Sequence, residues 1–216
     1  MKTREEIAAS IMESGLVAII RAPHADVAVP AMEALVAGGV VAVEVTMTTP
    51  NALGAIRDAA GRLGPRALVG VGTVLDAATC RAATDAGARF VVSPICRAEL
   101  VTAAHAAGCP VMLGAYTPTE AQLAHEAGAD FIKIFPADGL GPAYIKALRA
   151  PLPHLRIVPT GGVDLETVGP FLKAGCAALG VGSSLVSAQI LREKNWAELT
   201  RLAQAFVAAV RQARSA

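Results

Sequence analysis

One lysine stands inside a strand-like apolar run: Lys133, in Phe131-Ile132-Lys133-Ile134-Phe135-Pro136. Alternation at period two puts Phe131, Lys133 and Phe135 on one face and Ile132 and Ile134 on the other. Lysine is rarely buried without a partner, and burial disfavours its ammonium form. A free amine held there can attack a ketone and form a Schiff base. The plainer reading is an ion-paired lysine that snorkels to the end of its strand. Glu44, in Ala42-Val43-Glu44-Val45-Thr46, is a second ionisable group among β-branched neighbours, in a setting where glutamate is depleted. Facing Lys133, it could act as a general acid or base, or merely neutralise Lys133 or Arg21 as a buried ion pair.

Other run ends carry polar groups. Arg21 closes Val17-Ala18-Ile19-Ile20-Arg21, where a guanidinium could hold a carboxylate bidentately or simply start a surface loop. Thr73, in Gly70-Val71-Gly72-Thr73-Val74, and the pair Ser93-Pro94 offer hydroxyls and tightly turned backbone, which is also ordinary turn chemistry. Towards the C-terminus the runs Pro159-Thr160-Gly161-Gly162-Val163 and Gly180-Val181-Gly182-Ser183-Ser184 follow one another. Their glycines let backbone N–H groups approach an anion, ahead of a helix N-terminus; the bland alternative is two tight turns. His24, His105, His125 and His154 show no metal-ligand spacing, and neither metal nor cofactor is expected. His105 and His125 are expected to face solvent or pack on a helix, and Trp196 and Phe206 to serve packing. Cys80, Cys96, Cys109 and Cys176 lack CxxC or zinc-like spacing and lie in or beside apolar segments, which predicts buried free thiols in a reducing cytoplasm.

The elements that must position these groups repeat one theme. Apolar runs at 17–21, 42–47, 68–74, 90–95, 110–116, 131–136, 156–161 and 177–182 alternate with Ala/Leu-rich stretches of helical spacing. Gly38, Gly87, Gly108, Gly128 and Gly175 read as helix C-terminal glycines, and Pro50, Pro118 and Pro142 as first-turn prolines. A strand–helix unit of about 25 residues repeated over this length predicts a (βα)8 TIM barrel, a single domain over 1–216. A helix at roughly 3–14 would cover its lower end. The runner-up, an open doubly wound sheet, gathers its polar residues at one switch point, whereas here they recur at nearly every strand end. In such barrels the site lies at the C-terminal ends of the strands, and phosphate binds after strands seven and eight.

Composition narrows the classes. The 216 residues are 54% hydrophobic and 17% charged, against roughly 25% charged in an average globular protein, which excludes a disordered chain. With 19 Lys+Arg against 18 Asp+Glu and no basic run, a nucleic-acid partner is not expected. No apolar run reaches the roughly 20 residues of a membrane span. The start, Met1-Lys2-Thr3-Arg4-Glu5-Glu6, lacks the features of a signal peptide.

Taken together, Glu44-Val45-Thr46, Gly70-Val71-Gly72-Thr73-Val74-Leu75, Phe90-Val91-Val92-Ser93-Pro94, Ile132-Lys133-Ile134-Phe135-Pro136-Ala137 and Pro159-Thr160-Gly161-Gly162-Val163 resemble, in order, the 2-keto-3-deoxy-6-phosphogluconate (KDPG) and 4-hydroxy-2-oxoglutarate aldolase family. The resemblance runs from Val17 to about Val210. It implies a (βα)8 barrel, usually a homotrimer, needing neither metal nor organic cofactor and acting on a phosphorylated keto acid. It also implies Lys133 as the Schiff-base lysine, Glu44 as the general acid/base, Thr73 and Arg21 on the substrate carboxylate, Phe135 and Pro94 as pocket walls, and Gly161, Gly162, Gly182 and Ser183 on the phosphate. Many members carry an arginine four residues after the glutamate, where this chain has Thr48; another branch, shared with the 2-keto-3-deoxy-6-phosphogalactonate aldolases, places its arginine where Arg21 stands. Thr160 resembles the gluconate branch. Two other functions fit the same barrel: a sugar-phosphate epimerase or isomerase shuttling protons without a covalent bond, and a non-catalytic phosphosugar binder.

Overall fold

The computed structural model describes residues 2–215. Its strands are β1 (Leu16–Ile20), β2 (Ala42–Thr46), β3 (Leu68–Gly72), β4 (Val91–Val92), β5 (Val111–Ala115), β6 (Phe131–Ile134), β7 (Ile157–Pro159) and β8 (Leu179–Val181). They form one 8-stranded sheet in the order β7-β6-β5-β4-β3-β2-β1-β8, and every registered pair is parallel. A bridge between Thr160 and Gly180, with the Ala177 N–H donating to the Ile157 carbonyl at 2.8 Å, joins β7 to β8 and closes the cylinder. Helices α2 (Ala25–Ala37), α3 (Ala52–Leu63), α4 (Ala77–Asp85), α5 (Glu99–Ala106), α6 (Pro118–Glu126), α7 (Gly141–Arg149) and α8 (Val168–Lys173) each follow a strand. After β8 come α9 (Ala188–Glu193) and α10 (Trp196–Ser215), and α1 (Arg4–Ser14) precedes β1. None of the described helices is long and apolar enough to cross a membrane.

Strand alternation sorts the side chains into two cores. Outward residues such as Val43, Val45, Val69, Val71, Ile132 and Ile134 pack against the helical ring. Inward residues of the lower barrel, among them Leu68, Phe90, Met112, Phe131 and Val158, cluster with Ile7, Ala8 and Ile11 of α1. That helix is a plug. A capping box starts it, the Thr3 hydroxyl accepting from Glu6 N–H and the Glu6 carboxylate from Thr3 N–H, which satisfies two orphan donors. Gly15 ends it at φ 67°, a left-handed conformation open to glycine, where any Cβ would strike Arg214.

The upper barrel is lined differently. Glycine occupies inward positions on β3, β5 and β8. A Cβ at Gly70 would meet the Phe90 ring, one at Gly114 the Pro94 carbonyl, and one at Gly180 the Thr160 hydroxyl. Large residues fill the bottom of the barrel, and at the level above, the glycines admit groups from neighbouring strands and loops.

Several local expectations need correcting. The strands stop short of the apolar runs, so Arg21, Thr73, Pro94 and Phe135 lie just past their strands. Pro50 is not in a first helical turn. The Thr49 N–H bonds back to the Thr46 carbonyl at 2.9 Å, and this turn delays α3 until after Asn51. Gly38 caps α2 with φ −81°, and Gly39 takes the left-handed step instead, at φ 92°. All cysteines are free, but Cys96 is only partly buried. Burial pushes the Cys80 thiol up to about 11 and Cys176 up to about 12, so both stay protonated and inert.

Ile11 has no solvent exposure within the plug. Ile11→Ala is expected to cost about 2–5 kcal/mol by leaving a cavity that the closed barrel cannot collapse around. Denaturant melts measure it, and an unchanged midpoint would show that α1 is an appendage.

Candidate active site

Parity along the strands brings the chemistry to one place. Ile19 on β1 registers with Glu44 on β2, which registers with Gly70 on β3. On the opposite wall Gly114 of β5 registers with Lys133 of β6. Lys133 is 6% exposed and Glu44 2%, so both leave the wall into a nearly dry interior. The Lys133 Nζ lies 5.1 Å from the centroid of the Phe135 ring, within cation–π range.

Glu44 is the electrostatic anomaly. Its Oε1 is buried without a hydrogen-bond partner, a costly condition for a carboxylate. Burial pushes its carboxyl up, against an opposing pull from Lys133 and, more weakly, from Arg21. A buried carboxyl raised above its usual range beside an amine is suited to giving and taking protons.

Arg21 is exposed at the mouth, and its backbone is clamped on both sides. The Thr46 hydroxyl donates to the Ile20 carbonyl at 3.3 Å, and the Ala22 N–H donates to the Thr49 hydroxyl at 3.1 Å. Thr46 also bonds the Thr48 hydroxyl at 2.9 Å. Sequence reading missed this set of threonines, whose signal was a hydroxyl-rich segment directly after the glutamate strand.

Thr73 follows β3 with φ 60°. A β-branched residue in the left-handed region costs roughly 1–2 kcal/mol, and strain of this kind gathers at functional sites. Ser93 behaves as turn chemistry: it is fully buried, and its hydroxyl accepts from the Ile95 N–H at 3.3 Å. Pro94 presents its carbonyl to Gly114.

After β7, Gly161 and Gly162 adopt φ 94° and 67°, and a side chain at Gly162 would run into the backbone of Asp138 in the loop after β6. Thr160 is 8% exposed and ties the two loops together, its carbonyl accepting from the Ala137 N–H at 2.9 Å. Gly182 follows β8 and leads to exposed Ser183 and Ser184. The expected helix N-terminus does not follow directly. A turn in which the Leu185 and Val186 N–H groups donate to the Gly182 carbonyl intervenes, and Ser187 caps α9 beyond it.

Gly72 was also missed, because a glycine in a strand reads as a breaker. A Cβ there would occupy the place of Glu44 Oε1. Gly72→Ala is therefore expected to push the carboxylate from its seat, with a loss of about 1–3 kcal/mol from overpacking and a turnover loss well beyond that of Gly139→Ala, a site with nothing within 4 Å. Steady-state kinetics and melting curves on both variants check this; equal turnover would show that the seat does not matter.

Residues 7–202 match the family described as "Aldolase: KDPG and KHG aldolase". The chain is 37% identical over 199 residues to 2-dehydro-3-deoxy-6-phosphogalactonate aldolase of Escherichia coli, covering 92% of this chain and 95% of that one. It is equally 37% identical over 176 residues to 2-dehydro-3-deoxy-phosphogluconate aldolase of Pseudomonas aeruginosa, covering 81% and 80%. Among solved structures it superposes with a TM-score of 0.84, at 30% identity over 92% of this chain and 97% of the other, on the KDPG aldolase of Legionella pneumophila with pyruvate captured at low pH as a covalent carbinolamine. A barrel whose inner wall carries a buried lysine and carboxylate, matched in sequence over most of its length, belongs to the KDPG and KHG aldolase family.

Proposed function

We propose that this chain is a class I aldolase that cleaves 2-keto-3-deoxy-6-phosphogluconate to pyruvate and glyceraldehyde 3-phosphate. The observation that carries the reading is the unpartnered, buried Glu44 carboxyl within the field of Lys133. The Lys133 amine adds to the substrate ketone, giving a carbinolamine that loses water to form a protonated imine. Glu44 takes the proton from the hydroxyl on the carbon beyond the scissile bond. The electrons of that bond pass to the iminium, leaving the aldehyde as one product and an enamine on the lysine. Glu44 returns the proton to the enamine carbon, and water hydrolyses the resulting imine to free pyruvate and the amine. Proton transfer of this kind is worth about 10²–10⁴-fold.

The remaining residues bind. Arg21 and the strained Thr73 take the carboxylate, and Phe135 and Pro94 line the pocket. Thr160, Gly161, Gly162, Gly182 and Ser183 receive the phosphate at the rim, where backbone glycines admit close approach. The free cysteines suit a reducing cytoplasm. The same steps on 4-hydroxy-2-oxoglutarate would yield pyruvate and glyoxylate. A second substrate, 2-keto-3-deoxy-6-phosphogalactonate, is favoured by the position of Arg21 and by the relative of that name.

Borohydride reduction with pyruvate present is expected to leave a mass adduct on Lys133, and none on Lys133→Ala. Absence of the adduct from the wild-type chain would favour epimerase or isomerase chemistry. Glu44→Gln is expected to trap pyruvate yet turn over about 10²-fold or more slowly. Because its carboxyl is raised and must be ionised to accept the hydroxyl proton, turnover falls as pH drops through a value above the ordinary glutamate range of about 4.3. That acid limb should vanish in Glu44→Gln. Pyruvate release assayed with both phosphorylated epimers decides between the two substrates.

We further propose a homotrimer. Leu75, Ile95 and Tyr116 stand 39–46% exposed on the successive loops after β3, β4 and β5, an apolar rim that neighbouring copies would cover. Light scattering should return three times the 22.0 kDa chain mass, and Ile95→Glu should lower it; a monomeric wild type would refute the trimer.

A further inference from the structure

At the end of the cylinder opposite Lys133, the segments entering β6 and β7 border a cavity of about 310 Å³ lined by Arg4, His125, Asp130, His154 and Arg156. The chain brings these side chains from far apart. Arg4 opens α1, His125 belongs to the last turn of α6, Asp130 precedes β6, and His154 and Arg156 lead into β7.

Within the lining itself, two arginines stand against one carboxylate. Asp130 is that carboxylate, and the group is already engaged. Its Oδ2 lies 2.9 Å from His105 Nε2 and accepts from the Val111 N–H at 2.9 Å, while Arg4 Nε stands 3.8 Å from Oδ1. Two further carboxylates lie nearby but outside the lining: Glu5 pairs with Arg4 at 3.0 Å, and Glu126 accepts from the Gln122 amide at 2.9 Å. Arg156, by contrast, has no side-chain hydrogen bond or ion pair among the described residues. The His125 and His154 rings meet at 4.6 Å and 55°. His154 Nε2 bonds the Gln122 side-chain Oε1 at 3.0 Å, and the nitrogens of His125 are unengaged.

The exposed Arg156 guanidinium and the exposed His125 and His154 rings, beside an Arg4 that Glu5 and His105 already engage, leave the one unengaged guanidinium of the lining to an outside oxyanion. Guanidinium forks match phosphate oxygens in geometry and charge, and the volume sits at the small end of ligand sites, about 300–1,000 Å³. We propose that this basal cavity binds a phosphate group, borne by a small phosphorylated metabolite or present as the free ion, at a site separate from the aldol centre. Occupied, it would tie α1 to the entries of β6 and β7 and so fasten the plug. It stands independently of the proposed aldol chemistry.

The four histidines allow a direct test by imidazole NMR, since His24 lies on the open face three residues after Arg21 and reports there. At constant ionic strength, inorganic phosphate should shift the His125 and His154 resonances saturably. Arg156→Gln and His125→Asn should each weaken that response about tenfold while leaving kcat unchanged. Methyl phosphate bound as tightly as inorganic phosphate assigns the site to a phosphorylated metabolite; a clear preference for inorganic phosphate assigns it to the free ion. Shifts reproduced by sodium chloride, a response confined to His24, or wild-type titration in Arg156→Gln would each overturn the proposal.

Discussion

A carboxylate without a hydrogen bond, held dry within the field of an amine, is the constraint around which this barrel is arranged. Folding should eliminate such a group, because a buried acceptor left unsatisfied costs free energy and a charged one costs more. Glu44 persists because both its neighbours along β2 pack outward into the helical core, which fixes the backbone and directs the side chain inward. The opposing pull of Lys133 and Arg21 partly offsets the cost. Local rules fail here while the rest of the strand obeys them, the pattern expected where stability has been yielded to function.

Everything else in the barrel follows from which residues share the inward parity. Low on the strands those positions hold Phe90, Met112 and Phe131, which pack on α1. One step higher they hold Glu44, Lys133 and glycines whose missing side chains make room for the Phe90 ring, the Glu44 carboxylate and the Pro94 carbonyl. Cβ atoms at Gly70 or Gly114 would clash with Phe90 or Pro94. The glycines are therefore as much a part of the site as the ionisable groups, although they bring no functional group to it.

The fold was legible because parallel strands covered on both faces read as continuous apolar runs that alternate with Ala/Leu-rich stretches of helical spacing. Lys133 and Glu44 were legible for the converse reason, as charges where none is expected. The strand ends were not, because parity continues past the last ladder bond: Phe135 still lies beneath the lysine though its strand has stopped at Ile134. Gly72 was hidden since its role is to be absent. The meeting of His125 with His154 was hidden since only the pairing of β6 with β7 sets their entries side by side.

The plug formed by α1 has a kinetic corollary. With Ile7 and Ile11 sealing the floor, the interior is a blind well, and traffic to the amine must come and go through a single doorway. In the proposed reaction the fragment bonded to the wall lies deepest and the phosphorylated fragment nearest the exit. Departure is thereby sequenced by the architecture: the aldehyde must clear the passage before water can arrive to release the second product.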